Sequence, residues 1–333
     1  MYSLRPAKQT DISDILTLAC EQGSCHASLP KTDEAIRSVI QTSEDAFRNP
    51  SDQPSLTGNY FWVLSKESAI VGTIAIEAFT GQKEPFYSYR RETLINASYR
   101  LKVKQSIPVL YQSHELAGYS QLHSITLHPK HRTSSTIALL IQGVILYISE
   151  HPENFSSKLL IEFPGCKDER GDSPLWNDLG LHFFQMSLKQ ACYHASVEDK
   201  ALIAQLMPNH PLYENLLSST SQSTLGEPQQ DLDDYYQSFI REGFRPSNHI
   251  DIFDGGPCLT CQSSNSWSQQ ENARTRLDVL PVLSHETIVM NVNKEQPIVV
   301  LVGVEQRDNA IATLNLSPSS WIRWVPINTE EGY

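Results

Sequence analysis

The order of strand and helix signals limits the fold of this chain more than any other feature of its sequence. Ser3–Ala7 has the pattern of a short strand, and Thr10 or Asp11 can cap the helix that follows it. Tyr60–Leu64 and Ile70–Ala78 are rich in β-branched and aromatic residues and lie a few residues apart, which predicts an antiparallel hairpin. The first part of the chain therefore predicts a strand, a helix and a hairpin.

A second group of elements continues this order further along the chain. Leu122–Leu127 alternates apolar and polar residues, Thr133–Ser135 can cap an apolar helix that runs to about Ser149, and Lys158–Phe163 has the pattern of a buried strand. The remaining core elements are a helix and a strand, at Asp231–Arg241 and His249–Phe253. Strands that alternate with helices in this way predict a mixed α/β sheet with helices on both faces.

Three segments fall outside that regular order. Thr80–Glu115 carries many aromatic and basic residues and predicts an insertion with a helix of its own, and Ser173–Leu217 predicts a helical insertion. Three β-branched segments predict a small C-terminal β unit: Thr287–Val292, Ile298–Val304 and Ile322–Val325. We therefore expect a core over residues 1–265, with insertions at about 80–117 and 167–228, and a β unit over 266–333.

Charge and composition exclude several kinds of partner. The net charge of −12 argues against nucleic acid, which needs a basic face on its partner. The longest apolar run, Ile137–Ile148, is too short to span a membrane, and the N-terminus lacks the apolar core of a secretion signal. Six cysteines in a chain of 333 residues favour reduced thiols in a cytoplasm. Cys258 and Cys261 form half of a zinc pattern without a second half, so we expect two ordinary thiols and no metal.

Several sequence blocks, in order along the chain, resemble the arginine N-succinyltransferase family. They are Glu84–Arg90 (EPFYSYR), Ser173–Trp176 (SPLW), Ala204–Tyr213 (AQLMPNHPLY) and Ile250–Pro257 (IDIFDGGP). The resemblance implies transfer of a succinyl group from succinyl-CoA, a co-substrate rather than a resident cofactor, to the α-amine of L-arginine in arginine catabolism. Some members also act on ornithine, and the first block is closer to the alpha subunits of two-subunit enzymes. A homo-oligomer or a hetero-oligomer with a family paralogue is implied.

The resemblance also implies a GCN5-related N-acyltransferase fold, in which the acyl arm of the cofactor enters between two strands. Leu122–Leu127 and Lys158–Phe163 should then be adjacent parallel strands that separate at their C-terminal ends. The reaction needs a donor that polarises the thioester carbonyl, and in this fold a backbone N–H on the first of these strands supplies it. Ile125 is the residue at that position, although it would be a core residue in any case.

The loop that should hold the CoA diphosphate departs from the family pattern. Arg132 stands where a basic residue is expected, but Ser135 and Ile137 replace the two glycines at the start of the helix. A Cβ at either position obstructs the close approach of the diphosphate to the backbone. Ser134 and Ser135 can donate hydroxyl groups instead. The alternative is a plain capped helix.

The residue at the position of the family's proton donor is Gln229, where a histidine is expected. A glutamine amide cannot exchange a proton near pH 7. Tyr213 or His210 can take this role if the fold brings one of them close. Otherwise His210 is a turn residue and Tyr213 a buried aromatic residue.

Acidic side chains are the candidates for binding a cationic amine, because a guanidinium prefers carboxylates. We expect at least one of Glu92, Asp251 and Asp254 to face the cleft, although Asp254 can instead begin a tight turn. Asn96 stands in a family block where a histidine is usual, and is the third departure.

The three departures affect residues that are expected to take part in binding or catalysis, and not residues of the core. Two functions therefore stay open beside the leading one. The leading function is arginine N-succinyl transfer, either as an active enzyme by itself or as the alpha-like subunit of a paired one. The second is a catalytically weakened or inactive member that binds a partner subunit or a ligand. The third is another N-acyltransferase with a different amine acceptor.

Overall fold

The computed structural model describes residues 1–21, 29–48, 55–168, 171–197, 204–280, 285–293, 295–303, 312, 314 and 316–328. Fourteen strands in this part of the chain form one sheet in the order β11-β14-β12-β13-β1-β2-β3-β6-β7-β10-β9-β4-β5-β8. The strands are β1 Tyr2–Pro6, β2 Asn59–Lys66, β3 Ala69–Glu77, β4 Ser88–Ser98, β5 Val103–Ser113, β6 Ser120–Leu127, β7 Lys158–Glu162, β8 Leu212–Tyr213, β9 Arg245–Asp251, β10 Pro257–Gln262, β11 Ala273–Arg276, β12 Thr287–Asn291, β13 Val299–Val302 and β14 Trp321–Pro326. The α-helices are α1 Ile12–Glu21, α2 Asp33–Arg48, α3 Ser134–Glu150, α4 Leu181–Phe184, α5 Leu188–Val197, α6 Ser219–Thr224, α7 Asp233–Glu242 and α8 Trp267–Glu271.

The centre of the sheet confirms the predicted pair of strands. β6 and β7 are parallel neighbours, whereas β1, β2, β3 and β6 pair antiparallel in succession. The parallel pairing runs from Ser120↔Leu159 to Leu122↔Ile161 and goes no further. The last five residues of β6 therefore continue without β7 beside them, which agrees with the predicted separation.

Helix α3 is the centre of the main core. Its sequence is apolar on all sides, and such a helix must be buried all round. One side packs on the central sheet and the other on β12, β13 and β14, with α7 and α8 beside it. A side chain at Gly143 would begin 2.9 Å from Leu4 and 3.3 Å from Val299, so glycine is needed where β1 and β13 approach the helix.

The opposite face of the sheet is covered by the amphipathic helices α1 and α2. Their apolar residues, such as Ile15 and Ile36, pack against Phe61, Val63 and Ala75 of β2 and β3. The helices therefore lie on both faces of a mixed sheet, which confirms the predicted fold class.

The prediction of a helix within Thr80–Glu115 is wrong, because this segment forms the hairpin of β4 and β5. The two strands pair over eleven residues each, from Ser88↔Ser113 to Ser98↔Val103. Aromatic and β-branched residues favour strands, and Pro108 would interrupt a helix. The segment Ser173–Leu217 contains helices as predicted, α4 and α5 among its described residues, and the short helix α6 follows it where a loop is expected.

The C-terminal strands extend the same sheet. Thr287–Asn291, Val299–Val302 and Trp321–Pro326 agree with the predicted β segments apart from their ends, and Val304 lies outside the described residues. β13 pairs with β1 through Ser3↔Val300 and Leu4↔Val299. The division of the chain at residue 265 stays a prediction.

The described helices include none long and apolar enough to cross a membrane. Within the same residues, no group of three His, Cys, Asp or Glu side chains is arranged to hold a metal ion. Cys258 and Cys261 belong to different buried clusters on the two faces of β10, so the two thiols cannot share one metal.

Candidate active site

A bulge in β6 marks the opening between β6 and β7. The register of β3 with β6 shifts between Thr73↔Thr126 and Ala75↔His123, so Ser124 and Ile125 together oppose one residue of β3. Ser124 has φ +52°, a conformation that non-glycine residues rarely adopt. Such bulges redirect the backbone and often lie beside active sites. The bulge and the end of pairing with β7 both occur next to Ile125.

Gln229 lies at the C-terminal end of β7, at the same end of the sheet as Ile125. The chain after β7 forms a bridge between Gly165 and Pro228, and the Gln229 N–H donates to the carbonyl of Pro164 at 2.9 Å. The side-chain amide donates to the Asp231 carboxylate. Its Oε1 is buried and accepts no hydrogen bond from the described residues. The fold thus brings Gln229 and Ile125 to one end of the cleft.

Arg132 also lies at this end, but its guanidinium is bound within the chain. It forms two hydrogen bonds with the Asp234 carboxylate and one with the Asp231 carbonyl, and it stacks 4.6 Å from the centre of the Tyr235 ring. The bonds with Asp234 raise the pKa of Arg132, which therefore remains charged. A diphosphate would have to compete with Asp234 for this cation.

The first turn of α3 is also satisfied internally. The Thr133 side chain caps the helix, and the Thr133 N–H donates to the hydroxyl oxygen of Thr136. The Ser135 hydroxyl donates to the Glu286 carboxylate at 2.6 Å, whereas Ser134 is exposed. Ile137 is buried in the main core with 1% exposure. A protein carboxylate thus lies at the helix terminus where an anion binds favourably.

Among the described residues, no hydrogen bond joins Tyr213 or His210 to Gln229. Tyr213 lies on β8, which is five strands from β7 in the sheet order. Both residues are exposed, so Tyr213 is not the buried aromatic residue of the alternative interpretation, whereas His210 lies in a bend of the chain. The replacement of Gln229 by Tyr213 or His210 as proton donor stays a prediction.

The predicted substrate carboxylates have other partners. Asp251 accepts from the backbone of Phe253 and Asp254, and Asp254 accepts from the backbone of Gly256, as in the predicted tight turn. Glu92 pairs with Arg90 at 2.6 Å on β4. Asn96 is exposed near the end of the same strand. Asp254 lies beside Gly165 and Cys166, after the C-terminal end of β7, and the prediction that one of the three carboxylates faces the cleft stays a prediction.

A row of polar residues that belongs to none of the sequence motifs crosses the face of the sheet opposite α3. It contains Asn59, Glu77, Gln121, His123 and Glu162, which lie on β2, β3, β6 and β7. Glu77 pairs with Asn59 on one side and with Gln121 on the other, and all five residues are partly exposed in the middle of the sheet. We call these five residues the polar row. His123, one member of the row, lies two residues before Ile125 in the sequence.

Hydrogen bonds connect the polar row. The Gln121 amide donates to Glu162 at 3.0 Å, and the His123 Nε2 lies 3.2 Å from the Asn59 Oδ1. Burial raises the pKa of Glu77, partly offset by Lys83, and lowers the pKa of His123 to about 4. His123 is therefore neutral near pH 7. The row therefore holds two carboxyl groups, on Glu77 and Glu162, and its histidine is not a cation near pH 7.

Comparison with known proteins gives a consistent relationship. The family model "Arginine N-succinyltransferase beta subunit" matches residues 2–267. The Pseudomonas aeruginosa arginine N-succinyltransferase subunit alpha is 35% identical over 268 residues, which cover 79% of this chain and 78% of that one. Its subunit beta is 34% identical, covering 78% and 76%, so the similarity does not favour alpha over beta.

A solved structure extends the match to the whole chain. The arginine/ornithine succinyltransferase subunit AI from Pseudomonas aeruginosa superimposes with a TM-score of 0.90 and 28% identity, over 99% of both chains. The C-terminal strands therefore have counterparts, although the family model ends at residue 267. Since the model covers most of the chain and the curated relatives exceed 30% identity, this chain belongs to the arginine N-succinyltransferase family of N-acyltransferases.

Proposed function

We propose that this chain transfers a succinyl group from succinyl-CoA to the α-amine of L-arginine at the opening between β6 and β7, at a reduced rate. The observation that carries the proposal is the end of the β6–β7 pairing at Leu122↔Ile161, directly before the bulge at Ser124. A thioester carbonyl placed in this opening would lie against the backbone of Ile125. Preorganised backbone donors of this kind stabilise the charge that develops on the oxygen.

The two substrates would reach the opening from opposite faces of the sheet. The first turn of α3, with Arg132 and Ser135, is on the face proposed for CoA. The polar row is on the other face, next to the same bulge. An amine held there would attack the carbonyl across the plane of the sheet, and the two substrates would not compete for space.

The acidic side chains of the polar row suit a basic amino acid. Glu77 and Glu162 supply two carboxylates, and the neutral His123 adds no charge that would repel a cation. Burial raises the pKa of Glu77, and a substrate cation beside it would lower that pKa and favour the ionised carboxylate. We therefore propose that Glu77 and Glu162 bind the acceptor, in place of Glu92, Asp251 and Asp254.

Substitution of either carboxylate tests this assignment. Glu77→Gln and Glu162→Gln should each raise KM for arginine about tenfold or more, because a hydrogen bond to a charged group contributes about 1.5–3 kcal/mol. KM for succinyl-CoA should not change. Glu92→Gln is the matched control and should leave both constants unchanged. If KM for arginine rose only in Glu92→Gln, the result would contradict the assignment, and Glu92 would again be the candidate for binding the acceptor.

The second candidate function is a weakened or inactive subunit that binds a partner. Three features at the proposed CoA end favour it. Arg132 is bound by Asp234, Ser135 is bound by Glu286, and the side chain of Gln229 is an amide that cannot act as an acid. Relatives are named as alpha and beta subunits, which supports assembly of two family chains. A homo-oligomer or hetero-oligomer, ornithine as an acceptor and a cytoplasmic location stay predictions.

The contact with Glu286 gives a test of the CoA end. Glu286→Gln removes a negative charge from the start of α3, so CoA should bind about two- to fivefold more tightly, as expected for a charge at an exposed helix terminus. Equilibrium titration with CoA measures this. Glu295→Gln, another exposed carboxylate of the C-terminal segment, should have no effect. Equal affinities in all three proteins would show that the diphosphate does not approach Ser135.

A further inference from the structure

The outer part of the β4–β5 hairpin, residues 93–108, stands away from the rest of the sheet. β9 pairs with β4 only at Ser88–Arg90, and β8 pairs with β5 only at Val109 and Leu110. In the part of the chain that the structure describes, no further strand flanks the remaining pairs. None of residues 93–108 is buried. We call this two-stranded ribbon the arm.

The arm exposes large apolar side chains near its tip. Tyr99 is 99% exposed, Leu101 is 75% exposed and Val103 is 42% exposed, whereas Ile95, with 63%, lies on the opposite face of the ribbon from Val103. A two-stranded ribbon is marginally stable in water by itself. Grouped exposed apolar residues mark sites of association, whereas single ones are common on any surface. These features of the arm are typical of a surface that another protein chain covers.

Its charge indicates what covers it. The arm carries Arg100, Lys102 and Lys104 and no acidic residue, in a chain with a net charge of −12. A second copy of this chain therefore presents the acidic surface that complements the arm. In a symmetric pair, each arm would dock on the other chain, and the surface that receives the arm would be the same on both chains.

We propose that the arm is a docking element that holds two copies of this chain together. It supplies roughly half of the 20–30 residues that each side of a standard interface contributes, so the rest comes from the surface that receives the partner's arm. The inference rests on the proposed assembly of family chains but not on the proposed chemistry. Association is measured whether or not the chain catalyses transfer.

Sedimentation velocity over a concentration series tests the proposal. The unaltered chain should dimerise, and Tyr99→Ser with Leu101→Ser should raise the dimer Kd about tenfold or more. Lys102→Glu with Lys104→Glu should do the same, and higher salt should weaken the dimer of the unaltered chain. Val279→Ser, which changes an apolar residue that is 66% exposed outside the arm, is the control and should not alter Kd.

Two results would overturn the proposal. One is an unaltered chain that stays monomeric at every concentration. The other is a dimer whose Kd is the same in both arm variants and in the unaltered chain. Since the altered side chains are exposed, we expect the circular dichroism spectra of the variants to match that of the unaltered chain.

Discussion

Replacing Gln229 with His should raise the rate of arginine-dependent thiol release from succinyl-CoA by about 10²–10⁴, the usual contribution of general acid–base catalysis. Gln229 lies after the C-terminal end of β7, beside the proposed opening, and its amide cannot give a proton to a leaving thiolate. An imidazole there can donate a proton near pH 7. The Asp231 carboxylate, which now accepts from the Gln229 amide, can orient the ring.

Steady-state kinetics with both substrates measures the effect. KM for succinyl-CoA should not change, because the substitution acts on proton transfer and not on the start of α3. Gln230→His places the same group one residue away on an exposed side chain and should leave the rate unchanged. A Gln229→His protein with the rate of the unaltered chain would show that the proton comes from another group.

Replacing Ile137 with Ala should destabilise the fold by about 2–5 kcal/mol, the usual cost of this truncation in a core. Ile137 lies in the main core with 1% exposure, between the first turn of α3 and the sheet. The interpretation of Ile137 as merely a substitute for a binding-loop glycine is therefore incomplete. A glycine at this position would remove still more packing, so restoring the family's second glycine here would weaken the fold.

Urea unfolding followed by circular dichroism measures this loss. Leu216→Ala removes the same number of carbon atoms from a side chain that is 82% exposed and outside the arm, and should change the free energy of unfolding by less than about 0.5 kcal/mol. A loss below about 1 kcal/mol for Ile137→Ala would contradict the packing described for this turn.

The central elements of the fold could be predicted because their hydrophobic patterns depend on local residues. The alternation in Leu122–Leu127 and the capped apolar helix after it identify β6 and α3, and the family blocks place them in one architecture. The β4–β5 hairpin was missed because its aromatic and basic residues show neither a clean period of two nor an apolar face. A ribbon exposed on both sides has no buried face to impose that pattern.

The site was harder to predict because its charges are decided by residues distant in sequence. Arg132 stands at the expected position, but Asp234 binds it from 102 residues away. Ser135 likewise meets Glu286. A sequence motif identifies a residue's position on a helix and not the partner that another element brings to it.

The polar row left a signal that could have been used. Glu162 interrupts the apolar run Leu159–Phe163, and Gln121 and His123 lie inside a strand whose neighbours are buried. A polar residue within a buried strand needs a partner or a function. Only the register of the strands shows that these residues share one face and lie beside the bulge.

Incubation of the purified chain with succinyl-CoA, with and without L-arginine, tests the central claim most directly. Thiol release should depend on arginine and be slower by about 10²–10⁴ than the typical enzyme turnover of about 10 s⁻¹. The mass of the product should correspond to succinylated arginine. Release that is the same without arginine would contradict succinyl transfer at this site, and turnover near about 10 s⁻¹ would contradict the weakened proton donor at Gln229.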